Sequence, residues 1–163
     1  MWDWEADTTV SWPARGTGHR LSFAPDGARL AMADVGVPPR VFDVPAGTVA
    51  FELEGHAAGV ADLAYSPDGS RIAPAGLDGM VIVWDASDGT PLLRLPTLPQ
   101  EVTAIAFSPD GRHLATGSIA EEVMRVWTLD VAELRRIAAD RVVRGFTAAE
   151  CNEYLHRRDC PNS

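Results

Sequence analysis

The sequence contains no lysine: all 14 basic residues are Arg, set against 23 Asp and Glu, for a formal net charge of −9. A surface that tracks nucleic-acid phosphates needs a basic excess, so that balance excludes nucleic acid as an expected partner. Arg used alone fits the codon preference of a GC-rich, bacterial genome. No apolar run approaches the ~18–20 residues needed to span a bilayer, so no membrane partner is expected. With only two cysteines, Cys151 and Cys160, the chain is no disulfide scaffold. The first ten residues, MWDWEADTTV, carry acids where a signal peptide carries bases, and the expected location is cytoplasmic. Nucleotide-binding Gly-x-x-x-x-Gly-Lys-Ser/Thr and hydrolase Gly-x-Ser-x-Gly sequences are also missing.

What is present is repetition. Leu21-Ser-Phe-Ala-Pro-Asp-Gly27 returns as Leu63-Ala-Tyr-Ser-Pro-Asp-Gly69 and as Ile105-Ala-Phe-Ser-Pro-Asp-Gly111. The three prolines, Pro25, Pro67 and Pro109, keep a period of ~42 residues, that of a propeller blade. A second phrase keeps step: Val41-Phe42-Asp43, Val83-Trp84-Asp85 and Val126-Trp127-Thr128, the last displaced by one inserted residue. Within a unit, Val60 to Tyr65 reads as a strand. Ser66-Pro67-Asp68-Gly69 then turns the chain, with Pro presetting φ and Gly supplying positive φ. Arg71 opens a second strand, Leu77-Asp78-Gly79 a hairpin, Met80 to Trp84 a third strand and Thr90 to Leu95 a fourth. One such sheet cannot bury both of its faces, so neighbouring sheets must supply cover.

The period, the Ser-Pro-Asp-Gly turn, the Gly55-His56 pair and the Trp84-Asp85 pair resemble WD (WD40) repeats over residues 1–129. The six-bladed propellers of periplasmic and peptidase-associated proteins share the Ser-Pro-Asp-Gly turn but not the Gly-His and Trp-Asp pairs. The resemblance implies an all-β fold, a partial β-propeller arc of about three four-stranded blades. It also implies a buried polar network within each blade: His, a hydroxyl residue, Asp and Trp. In the middle repeat these positions hold His56, Pro74, Asp78 and Trp84, so the hydroxyl is missing. The third repeat holds Thr116 and Trp127, with Glu121 standing for the Asp and Leu98 in place of the His. In the first, Ala14, Met32, Gly36 and Phe42 leave no network.

Trp2-Asp3 lies near one period before Phe42-Asp43, which makes the region Thr8 to Trp12 an expected outer strand. The order is then one outer strand and three inner strands, three times over. Three blades cannot close a ring, since propellers generally have four to eight. The missing blades are expected from a longer parent chain, from a second copy closing a six-bladed ring, or from a separate protein.

Residues 130–163 read as a helical tail. Asp130-x-x-Glu133 and Thr147-x-x-Glu150 resemble capping boxes, and Val131, Leu134, Ile137, Ala138 and Val142 mark one apolar face. The phrase from Phe146 to His156, with Cys160-Pro161, is similar to tails that follow WD repeats in bacterial signalling ATPases of the STAND type. That likeness implies a sensor or scaffold module.

The remaining chemistry is sparse. Cys151, His156, Asp159 and Cys160 fit no standard zinc spacing, so no metal and no cofactor are expected. His56 is assigned a structural hydrogen bond rather than a catalytic role, and Asp26, Asp68 and Asp110 recur because their turn recurs. The expected function is protein–protein interaction without enzymatic activity. The family's docking face maps here to His56, Ala57, Leu77, Gln100, Glu101 and Ala120. The alternatives are a propeller-type hydrolase or lyase and a degenerate gene remnant.

Overall fold

The computed structural model describes residues 20–34, 36–95, 100–130 and 132. Strands β1 (Arg20–Phe23), β2 (Arg29–Asp34), β3 (Val37–Asp43) and β4 (Thr48–Glu52) form a first antiparallel sheet in that order. A second follows the same plan with β5 (Val60–Tyr65), β6 (Arg71–Gly76), β7 (Val81–Asp85) and β8 (Pro91–Leu95). The third contains β9 (Ala104–Phe107), β10 (His113–Ser118) and β11 (Val123–Thr128). Among the described residues it has three strands, not the four expected of a full blade.

The turns explain the repetition. In the second sheet Gly69 donates its N–H to the Ser66 carbonyl at 2.9 Å and has φ of 71°. The Ser66 hydroxyl donates to Asp68 Oδ1 at 2.5 Å and accepts the Arg71 N–H at 2.9 Å. Ser108, Asp110, Gly111 and His113 repeat this frame in the third sheet. The first keeps the backbone bond, Gly27 N–H to Ala24 carbonyl at 2.9 Å, but Ala24 has no hydroxyl to add. The Ser66 hydroxyl, with the Ser70 N–H and hydroxyl, holds the Asp68 carboxyl down to about 2. The Ser108 hydroxyl and the Arg112 N–H lower Asp110 in the same way.

The extra residue of the third repeat falls just before the β10–β11 turn. Gly79 closes the β6–β7 turn with its N–H on the Gly76 carbonyl and φ of 78°. Glu122 closes the β10–β11 turn on the Ile119 carbonyl with φ of 54°. A side chain thus takes a left-handed conformation that ordinarily favours glycine.

The sheets share cover as the repeat logic requires. β5 lies against β1 and β2, and β9 lies against β5 and β6. Ala24, Ala31, Ala33, Val41 and Leu53 of the first sheet and its exit form one core with Leu63, Tyr65, Ile72, Ile82 and Trp84 of the second. Small side chains on one face meet large ones on the next. The second sheet is covered on both faces, and β6 and β7 are almost wholly buried. Arginines tie neighbours together. Arg29 donates to the carbonyls of Ala86 and Ser87 and lies over the Phe51 ring at 5.2 Å. Arg71 reaches the Gly111 carbonyl at 2.8 Å.

The chain divides into two compact units, 1–127 and 128–163. In the second, the Asp130 carboxylate accepts the Ala132 N–H at 2.8 Å, a bond of the N-cap type. The expected helices of the tail, its cysteines, the N-terminal outer strand at 8–12, Ala14 and Leu98 lie outside the described residues.

Candidate functional site

One end of the sheets gathers the loop 53–59, the β6–β7 turn and the segment 100–103. His56 Nδ1 lies 3.1 Å from Asp78 Oδ1, with only 3% of the imidazole side chain exposed. The same carboxylate accepts the Ala57 N–H at 2.7 Å and the Met80 N–H at 3.0 Å. Burial pushes the Asp78 carboxyl up, but the N–H groups of Met80 and Ala57 and the His56 ring outweigh it, and the net shift is downward. Asp78 therefore acts as a charged rivet between the loop and the hairpin. Gly76 makes room for it: a Cβ there would stand 2.1 Å from Asp78 Oδ1 and 2.3 Å from His56 Nδ1. The sequence reading missed this role of Gly76, which becomes visible only when the His–Asp pair is placed above the strand.

Pro74 interrupts the network. It is fully buried in β6, an interior strand. The β6–β7 register runs through Arg71↔Asp85, Ile72↔Trp84 and Ala75↔Val81, with no pairing at Ala73 or Pro74. Proline has no N–H to give to a ladder. The hydroxyl expected here is absent too, and His56 Nε2 and Trp84 Nε1, both buried, are left without a hydrogen-bond partner among the described residues. The third sheet has the complementary half, since Trp127 Nε1 donates to Thr116 Oγ1 at 2.9 Å. Glu121 forms an ion pair with Arg125 at 2.7 Å.

The rest of this end is pinned by backbone bonds. Leu77 donates to the Gly59 carbonyl at 2.8 Å, Val102 to Gly76 at 3.1 Å and Thr103 to Gly117 at 2.8 Å. Ala57, Gln100, Glu101 and Ala120 are exposed around these bonds, and His56 and Leu77 are partly so. A cavity of about 190 Å³ opens beside them, walled by Val37, Pro38, Pro39, Leu53, His56 and Ala58. Its walls combine apolar side chains with the His56 ring and polar backbone atoms.

The opposite end holds a wider cleft of about 490 Å³, lined in part by Asp26, Arg29, Tyr65, Asp85 and Ser87. Burial pushes the Tyr65 phenol up to about 12, and its oxygen has no hydrogen-bond partner among the described residues. No sequence signal marked it, because the matching positions in the other repeats are Phe23 and Phe107. Among the described residues no three His, Cys, Asp or Glu side chains gather where a metal ion could be held. No helix among them is long and apolar enough to cross a membrane.

The family model described as WD domain, G-beta repeat matches residues 47–85 and again 89–128. No curated protein is a significant match to the chain. The first matched stretch contains β4 to β7 and the second β8 to β11. Each therefore starts on the outer strand of one sheet and finishes in the next, so that the chain itself links neighbouring sheets. Residues 47–85 and 89–128 are thus similar to two WD repeats, of a kind that generally mediates protein–protein interaction.

Proposed function

We propose that this chain is a protein-interaction scaffold or sensor module, not an enzyme, that docks a protein partner on the end carrying His56, Ala57, Leu77, Gln100, Glu101 and Ala120. The observation that carries the reading is the Asp78 rivet. It fixes the loop at Ala57 to the hairpin at Met80, and a surface held rigid before binding loses less entropy on binding. The small cavity beside His56 gives a partner side chain a place to anchor. The hydrolase or lyase reading would need convergent catalytic groups, and Asp68, Asp85 and Asp110 are each bound to the N–H and hydroxyl groups of their own turns.

The finer form of the proposal places the module in the cytoplasm, as the C-terminal part of a larger bacterial signalling protein. The phrase at 146–156 is its support.

The test compares capture of cell proteins by the wild type with capture by Leu77→Asp and Glu101→Arg. Ser87→Arg, at the opposite end, is the control. The proposal expects the first two to lose at least one specific band that Ser87→Arg keeps, with melting temperatures unchanged. Equal recovery from all of them contradicts it.

A further inference from the structure

The two end faces of the arc are the two halves of an interface that the chain already makes twice. Wherever one sheet follows another, the later sheet offers large inner-strand side chains and the earlier one small or β-branched ones. Leu63 and Tyr65 of β5 are 5% and 9% exposed because Ala31, Ala33 and Val41 of the first sheet cover them. The matching residues of β1, Leu21 and Phe23, are 61% and 58% exposed. At the other end, Val41 and Val83 are buried, while their counterpart Val126 is 70% exposed and the adjacent Met124 85%. Ala104 and Ala106 on the same sheet are exposed as well.

The exposed apolar side chains of β1 are thus those that a preceding sheet would cover. Those of β9 and β11 are the ones a following sheet would cover. Met32 and Phe42, on the same face of the first sheet, are already buried, so the open patch there is confined to the inner strand.

We infer that a second copy of this chain provides the missing sheet at each end: Leu21 and Phe23 of one copy pack on Ala106, Met124 and Val126 of the other, and the reverse pairing closes the ring. This goes beyond the docking reading and uses different residues. The contact joins unlike faces, so two copies related by a twofold axis make it twice and leave neither face open. Two sets of three sheets give six, within the range of closed propellers. An exposed apolar patch on each end of a single copy is removed by the same act.

Light scattering on the full chain at ~0.15 M salt, where charge repulsion between copies carrying −9 each is screened, tests the pairing. The expected mass is twice 17.5 kDa. Phe23→Asp alone and Val126→Asp alone each give a single-copy mass. An equal mixture of the two recovers a two-copy species, because one of its two contacts is intact in the mixed pair. Both positions are already exposed, so folding should survive, and an unchanged melting temperature verifies it. Leu21→Asp and Met124→Asp serve as a second pair if either variant fails to fold.

A wild-type mass of one copy overturns the inference and leaves the faces to blades of a parent chain. A mass that climbs past two copies with concentration overturns ring closure. Loss of pairing in Phe23→Asp but not in Val126→Asp overturns it as well, since that pattern means like faces meet.

Discussion

The second and third sheets are built from the same phrase of sequence, yet each keeps the half of the polar network that the other lacks. The second has His56 on Asp78 and leaves the Trp84 indole nitrogen buried without a partner. The third has Trp127 on Thr116 and an ion pair, Glu121 with Arg125, beside its hairpin. Packing differs in the opposite sense. Val81 to Trp84 are buried by a neighbour on each side, whereas β11 is half exposed. Apolar cover thus tolerates an incomplete polar network where sheets are stacked on both faces. Where cover is thin, the indole bond carries more of the local order.

The largest expected break in the comparison is Asp78→Ala. It strips an acceptor from Ala57, Met80 and His56 at once, and should cost about 3 kcal/mol in urea unfolding. The matched change in the third sheet, Glu121→Ala, removes a single, partly buried ion pair and should cost about 1 kcal/mol. Equal losses would show that the two hairpins are held alike.

Pro74→Thr sharpens the comparison in the other direction. A hydroxyl there can accept from Trp84 Nε1 and donate to His56 Nε2, and the restored N–H can rejoin the ladder to β7. The second sheet then carries the Thr116 arrangement, and stability should rise by about 1–2 kcal/mol in the same measurement. Thr116→Val is the smaller counterpart. It leaves the Trp127 indole N–H without an acceptor in a half-exposed setting and should cost about 1 kcal/mol.

The smallest effect is the response to acid. Asp68, Asp78, Asp85 and Asp110 all have folded pKa values below the ordinary 3.8. Groups lowered on folding add stability that is present above the unfolded pKa and lost as pH falls through the folded one. Melting temperature should therefore hold constant above about pH 5 and fall between about pH 4 and pH 2. Protonation weakens the turn and loop hydrogen bonds at each of these sites, so Asp68→Asn and Asp78→Asn should each flatten part of that fall.

Much of the fold can be read from three in-phase copies. Pro, Asp and Gly at fixed offsets specify the turn, and the turn fixes the strand register. The proline gap at position 74 is equally legible, because the physical demand for a hydroxyl and an N–H is local. Burial is not. Val83 and Val126 occupy the same place in the phrase, yet one is sealed and the other bare, since cover comes from the next sheet and not from the residue. Tyr65 and Gly76 escaped for a related reason: what they touch lies on another sheet or loop.

The claim on which the rest depends is that adjacent sheets hide their apolar faces in one shared core. Leu53 leaves the first sheet and is fully buried in the cluster that contains Ile72, Ile82 and Trp84 of the second. Amide hydrogen exchange in Leu53→Ala measures this directly. The account predicts that Ile72 and Ile82 lose protection together with Val41, by about 2–5 kcal/mol, an exchange factor of roughly 30 or more. Unchanged protection at Ile72 and Ile82, with loss confined to the first sheet, would contradict it.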